Sequence, residues 1–285
     1  MKIAHLILTH KNPAQLERLL RALDHPDFDF YIHLDKKIDA APFAPLVNNR
    51  NVFFIQQRAK VEWAGYGTIQ ATLNGFREIL PKKAYDYINV ISAQDFPLRS
   101  AAGIYRYISD RAGTEFITCE SIEDEWQEAA PRVKNYHFIN WRIPGRFRLS
   151  KLATALLPAR KFPLDYRIVG RANWFTLTEA AARYVLDFID SHPRVVRYFK
   201  YCWGADEFIF ATILYNSSFR GSIENNLVYV DWTGQTKGHP RVLGSGDFSR
   251  LRSSEKLFAR KFDLSADAGI FSLLEEHIRQ QQEGG

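Results

Sequence analysis

Over the first hundred residues, short apolar runs alternate with longer segments whose leucines recur at helical spacing, and this alternation constrains the fold more than any other feature. Ile3–Thr9 reads as a buried strand. Pro13–Leu23 reads as a helix, with Leu16, Leu19, Leu20 and Leu23 on one stripe. Phe28–Leu34 is a second strand that stops at Asp35-Lys36-Lys37, and Val52–Ile55 is a short third. Thr68–Leu80 is a helix ended by Pro81, and Tyr87–Ser92 is a fourth strand running into Gln94-Asp95-Phe96-Pro97. Strands alternating with helices predict an α/β fold whose central sheet is mainly parallel and flanked by helices on both faces.

The remainder is less regular. Glu115–Thr118 and Asn173–Leu177 are strand-like, Glu179–Ile189 is helical, and Asp206–Tyr215 reads as a nearly all-apolar helix. Leu227–Val230 is a strand, and a basic stretch through Lys261 precedes an amphipathic helix near Ile270–Gln280. Between Glu120 and Arg171 lies a long excursion carrying Trp126, Trp141 and several arginines. In α/β enzymes such excursions build the substrate side of a cleft. With 285 residues and neither repeat nor low-complexity linker, one domain is expected.

The net charge of +6 favours anionic partners such as nucleotides or phospholipid head groups. The basic residues are spread along the chain without a Lys/Arg tract or zinc-finger spacing, which argues against a nucleic-acid binder. Only Cys119 and Cys202 are present, and no stretch is apolar enough to span a membrane. These features lead us to expect free thiols in a reducing compartment, and a cytoplasmic protein at most peripheral to a membrane. The absence of GxGxxG, Walker, HExxH and GxSxG motifs leaves dehydrogenases, P-loop enzymes, zincins and serine hydrolases unsupported.

Ligands of open α/β sheets bind beyond the carboxyl ends of the strands. Here those ends carry Thr9-His10-Lys11, Asp35-Lys36 and Gln94-Asp95. Asp35 either accepts from a ligand hydroxyl or N–H, or caps the turn after its strand. The one Asp-x-Asp, Asp27-Phe28-Asp29, enters a strand instead of leaving one and so lies at the wrong end of the sheet for a ligand-bound metal. Asp206 and Glu207 precede the apolar run. Helical neighbours point about 100° apart, so the two cannot act as a side-by-side dyad. Either one faces a cleft, or both simply suit the first turn of a helix. Trp174 and Trp232 are candidate platforms for an acceptor sugar or core residues.

Four ordered blocks bear on these alternatives: His5 to Asp35 (HLILTHKNPAQLERLLRAL, then YIHLD), Tyr87 to Arg99 (YINVISAQDFPLR), Gly170 to Thr178 with Asp206 to Leu214 (GRANWFTLT, DEFIFATIL), and His239 to Asp263 (HPRVLGSGDF, then LFARKFD). In this order they resemble the core-2/I-branching β-1,6-N-acetylglucosaminyltransferase family, which also contains peptide O-xylosyltransferases. The resemblance implies a GT-A-type fold and an inverting transfer of N-acetylglucosamine or xylose from a UDP-sugar to an acceptor hydroxyl. Residues 1–115 would be the Rossmann-like nucleotide-sugar half. Residues 116–285 would hold the acceptor side, the catalytic helix and the basic C-terminal segment. The family's general base maps onto Glu207, leaving Asp206 for the acceptor side. Basic side chains replace the metal, so no cofactor is expected. Lys261 is one of these, and its partner would be Arg241, or failing that Lys237. Thr9, His10, Asp35, Trp63 and Asp95 complete the expected donor pocket, with a glycan or glycoconjugate as acceptor and a membrane surface as a further partner. The family members compared have membrane anchors and disulfides that this chain lacks, which favours a bacterial relative.

Two other classes stand beside this reading. A glycoside hydrolase needs two carboxylates about 5–9.5 Å apart, for which Glu207 has no evident companion, although Asp95 or Glu125 could approach it by folding. A glycan- or polyanion-binding module would bind without turnover and with strong salt dependence.

Overall fold

The computed structural model describes residues 1–48, 51–141, 143–235 and 238–283. Its first part follows the expected alternation: β1 (Ile3–Thr9), α1 (Pro13–Ala22), β2 (Phe28–Leu34), β3 (Val52–Phe54), α2 (Gly67–Ile79) and β4 (Tyr87–Ser92). Every residue of β1, β2 and β4 is buried, as strands covered on both faces must be. Asn12 starts α1, its side chain accepting from the Gln15 amide at 3.1 Å just ahead of Pro13, which is favourable N-terminal chemistry.

Next come β5 (Asp95–Pro97), α3 (Ala101–Ser109), β6 (Glu115–Phe116) and β7 (Glu120–Ser121), and then α4 (Ala130–Lys134), α5 (Arg146–Leu156) and β8 (Val169–Gly170). The chain continues through β9 (Phe175–Thr178), α6 (Glu179–Ser191), α7 (Pro193–Phe199), α8 (Ile209–Tyr215), β10 (Ile223–Glu224) and β11 (Val228–Val230). It ends with α9 (Phe248–Arg252), β12 (Phe258–Arg260) and α10 (Gly269–Glu283). The main sheet has the order β10-β6-β9-β4-β1-β2-β3. β9 runs antiparallel to both β4 and β6, and the other pairings are parallel, so only β9 is reversed. This is the mainly parallel α/β layering expected of a GT-A-type fold.

A polar ladder crosses the middle of the sheet. Thr176 donates to Asn89 at 2.9 Å, and Asn89 meets His5 at 3.0 Å. Burial pushes the His5 imidazole down to about 3, so it is neutral at physiological pH. Asp29, at the entry of β2, is held by Lys83 and Tyr85 at 2.6 Å each. Its role at that end of the sheet is structural.

Three features differ from the sequence reading. The basic tract before Lys261 is a strand: β12 pairs antiparallel with β5, Arg260 opposite Asp95, and parallel with β11. Phe258 and Ala259 are buried there, so apolar residues hold the tract in a second sheet despite its charge. The helix expected from Asp206 begins only at Ile209. Gly204, at φ 60°, turns the chain into a 3-10 turn over Ala205–Glu207, and the two acids lie in that turn. The long excursion is closed at its base by β7 pairing with β8, Glu120 opposite Gly170. One contiguous buried cluster extends from Ile3 to Ile278, and Phe271 of α10 packs on Phe96 of β5 at 5.1 Å. Cys119 and Cys202 are free.

Candidate active site

At the carboxyl edge of β1 and β2, Thr9 is buried and its hydroxyl donates to the Lys11 carbonyl at 3.3 Å. Asp35 is also buried, and its Oδ1 accepts from the Lys37 amide at 2.9 Å. Of the two roles left open for Asp35, the turn-capping one is thus realised, with Lys37 Nζ 3.6 Å from Oδ2. His10 stands in a cationic field. Desolvation lowers its pKa first, then the charges of Lys11, Lys261 and Lys37, against the opposing pull of Asp35.

The β5–β12 pairing brings the C-terminal tract to this edge. Burial, Arg260 and Lys11 all depress the Lys261 ammonium, with Asp263 opposing them. Asp263 is itself taken by Lys11 at 2.5 Å. Among the described residues, the Lys261 ammonium has no hydrogen-bond or ion-pair partner of its own. His239 is lowered by desolvation and by Lys261. Trp63 packs against the His239 ring at 5.0 Å and against Trp203 at 4.9 Å. Since Trp203 leads directly into the acidic turn, Trp63 joins the cationic wall to the carboxylates.

Arg260 escaped sequence reading because it sits beside the more conspicuous Lys261. Its buried guanidinium lies over the Trp174 indole at 4.6 Å and is 3.6 Å from Asp95. Asp95, Asp206 and Glu207 all act on it electrostatically, so it connects both walls. Asp95 accepts from the Ser92 amide at 2.9 Å, and burial pushes its carboxyl up to about 6 although Arg260 and that amide oppose the rise. Asp95 Oδ1, Trp174 Nε1, and Arg260 Nε and Nη1 are buried without a hydrogen-bond partner. Buried polar atoms are nearly always satisfied, so four orphans in one cluster set this place apart from ordinary core.

Glu207 forms the opposite wall. Arg132 of α4 approaches its Oε2 at 2.9 Å and lies 5.0 Å over the rings of both Trp126 and Phe208, which stack on each other. Burial raises the Glu207 pKa; Arg132 and Arg171 oppose the shift, and Asp206 reinforces it. Two glycines allow this packing. A Cβ on Gly170 would sit 2.1 Å from the Glu207 carbonyl, and one on Gly204 would sit 2.3 Å from Arg132 Nη2. Next to Gly170, Arg171 adopts φ 144° and its amide donates to the Glu207 carbonyl at 3.1 Å. Non-glycine residues rarely take such a φ, and those that do cluster at functional sites.

Several candidates fall elsewhere than expected. Asp206 accepts from Asn173 at 3.0 Å and bonds Thr68 at the start of α2, so it ties elements together instead of facing an acceptor. Trp174 is buried beneath Arg260 and offers no open platform, whereas Trp232 and Trp63 are each 52% exposed. Arg241 is not a free cation. It grips Asp231 at 2.8 Å and Asp247 at 2.5 Å, and Arg250 shares both acids. This network braces the loop that leads to Leu243. Lys237 lies outside the described residues. Sequence reading missed Arg132, and it named Lys11 and Arg260 only as parts of longer tracts; the structure gives them their contacts. The only signal for the first was its place in an arginine-bearing excursion.

No group of three or more His, Cys, Asp or Glu suited to a metal ion occurs among the described residues, nor does any helix there have the length and apolarity to cross a membrane. A cavity of about 570 Å³ opens between Tyr66, Arg77, Trp141 and Tyr201, and none of the charged residues above lines it. The geometry of these side chains, not that cavity, therefore defines the candidate site.

Known proteins resemble this chain over nearly its whole length. Human β-1,3-galactosyl-O-glycosyl-glycoprotein β-1,6-N-acetylglucosaminyltransferase is 24% identical over 315 residues, covering 98% of this chain and 70% of that protein. Human xylosyltransferase 2 is 26% identical over 305 residues; the match covers 98% of this chain but only 34% of the relative. The solved structure of the galactosyltransferase LgtC with donor and acceptor sugar analogs aligns over 97% of this chain and 95% of that one. Its TM-score is 0.49 at 11% identity, too slight a likeness to carry a conclusion. The family model described as Core-2/I-Branching enzyme matches residues 3–252. With that match spanning most of its length, the chain belongs to the Core-2/I-Branching enzyme family, a family of glycosyltransferases.

Proposed function

We propose that this protein transfers N-acetylglucosamine or xylose from a UDP-sugar to a glycan or glycoconjugate hydroxyl by a single inverting displacement, without a divalent metal. The observation that carries the reading is the pairing of two unlike walls across Arg260. One presents Lys261, Lys11, His10 and His239, and the other a desolvated Glu207 held by Arg132.

In the proposed reaction the acceptor hydroxyl attacks the anomeric carbon while the bond from that carbon to the diphosphate oxygen breaks. Glu207 takes the hydroxyl proton. Arg132 engages Oε2, so Oε1 is the oxygen offered to the acceptor. A positioned base contributes about 10²–10⁴-fold, most effectively when its pKa approaches the working pH; the upward shift at Glu207 serves this. The departing diphosphate gains negative charge as it leaves. Lys261, its ammonium already disfavoured by burial and then by neighbouring cations, becomes more favourable as that charge arrives, which is stabilisation specific to the transition state. Trp63 packs beside the donor, and Trp232 provides an open indole face for a sugar ring.

A thermal-shift screen of nucleotides and nucleotide sugars, with and without EDTA, tests this proposal. Bound ligand at a hundredfold excess over Kd stabilises by about 2.7 kcal/mol. We expect UDP and one UDP-sugar to raise the Tm equally with and without chelator. A shift that vanishes with EDTA would remove the metal-free mechanism, and indifference to all nucleotides would remove the reading.

A further inference from the structure

Helix α5 is arranged inside out. A helix on a globular surface ordinarily turns its apolar stripe to the core, yet no residue of α5 is buried. Leu149, Leu152 and Leu156 fall on one face at helical spacing, and they are 36%, 56% and 73% exposed. The polar residues point inward. Ser150 Oγ accepts from the Phe138 amide and Thr154 Oγ1 from the Tyr136 amide, both at 3.1 Å, and Arg146 donates to the Ile139 carbonyl at 3.0 Å. Exposed Phe147, Ile143 and Leu157 extend the apolar surface at both ends of the helix.

The charge around this face has one sign. No Asp or Glu occurs between Glu128 and Asp165, while Arg148 and Lys151 lie along one side of the leucine stripe and Lys134 and Lys161 are also exposed. Leucines beside cations match a surface that is apolar beneath and anionic above. A second copy of the chain suits the face less well, because a two-fold contact would set Arg148 and Lys151 against their own like charges. We propose that α5 seats this protein on an anionic lipid bilayer. Its eleven residues span about 16 Å, too short to cross, so the helix lies in the interfacial plane with its leucines in the acyl boundary. The same excursion carries Arg132, and His137 lies 6.1 Å from Trp203. The seated membrane would therefore lie on the side of the cleft that holds Glu207.

The test is co-sedimentation of the full chain with vesicles of phosphatidylglycerol–phosphatidylcholine or of phosphatidylcholine alone. It needs no turnover, so it stands or falls separately from the catalytic reading. We expect at least tenfold stronger partition into the anionic vesicles, weakened by salt. Arg148→Glu with Lys151→Glu should reduce it strongly, since each cation near such a surface contributes about fivefold. Leu152→Ser with Leu156→Ser should reduce it at least tenfold while leaving the melting curve and the turnover of a soluble acceptor unchanged. Equal partition into both vesicle types, or an unaltered leucine double variant, would overturn the proposal. So would a dimer in sedimentation velocity that the leucine substitutions dissolve, since the face would then be an interface between copies.

Discussion

The two walls of the cleft manage charge in opposite ways. On the side of Glu207 the groups are already engaged: Arg132 holds Glu207, Asn173 holds Asp206, and Arg171 closes over the turn. On the side of Lys261 one ammonium is left over. Lys11 pairs with Asp263 and Lys37 lies near Asp35, the pKa values of His10 and His239 are lowered, and Lys261 has no partner of its own among the described residues. A wall whose groups are already engaged gains little from an arriving anion. A wall with an unpartnered ammonium gains more, because the ligand supplies the partner that Lys261 lacks. Donor binding is thus expected to act mainly on one wall, and chemistry on the other.

The sharpest way to break this comparison is Glu207→Gln. We expect kcat to fall about 10²–10⁴-fold while the Kd for UDP, measured calorimetrically, stays within about twofold of the wild type by the stated separation of roles. An active variant would end the assignment of Glu207 as base. Lys261→Ala should cost about 10²–10³-fold in kcat and weaken UDP as well, so its signature differs from that of Glu207→Gln in the binding measurement. Gly170→Ala comes next. The added methyl would strike the Glu207 carbonyl, and overpacking of that kind costs about 1–3 kcal/mol. Tm and kcat should fall together with UDP affinity preserved; a harmless Gly170→Ala would mean that the acidic turn moves freely.

A pH profile sharpens the base wall. Glu207 must be ionised to act, so activity falls as pH drops through its raised pKa. Arg132 opposes that rise, and removing a nearby cation disfavours the carboxylate. Arg132→Met should therefore move the acid limb of kcat/KM to higher pH, and a limb that moved lower or stayed fixed would show that Arg132 does not tune this group. The smallest catalytic effect is expected from Arg241→Ala. Breaking its contacts with Asp231 and Asp247 should lower stability by about 1–3 kcal/mol, with UDP affinity changed less than about threefold by the same reasoning. A large loss of UDP binding would return Arg241 to the donor wall.

Legibility followed the range of the interactions. β1, α1, β2 and β4 were readable because their apolar period is a local property of the chain. Glu207 and Lys261 could be singled out as candidates because the tracts DEFIFATIL and LFARKFD are continuous in sequence. Arg260, Arg132 and the true surroundings of Arg241 were not, since each takes its role from a partner on another element: Asp95 across β5–β12, Glu207 across the excursion, and the Asp231–Asp247 pair. For the same reason Trp174 and Trp232 looked alike in sequence but differ in burial. α5 went unread because its leucines and its Ser/Thr residues could equally have faced either way.

The sequence alone determined the α/β layering and the polar residues at the strand ends, and it singled out the acid proposed as base, because hydrophobic period and contiguous tracts need no distant partner to be recognised. Which cations stay unpaired and which are spent on structure was decided by the tertiary fold. Charge is allotted by proximity in space, and only strand pairing and helix packing create that proximity.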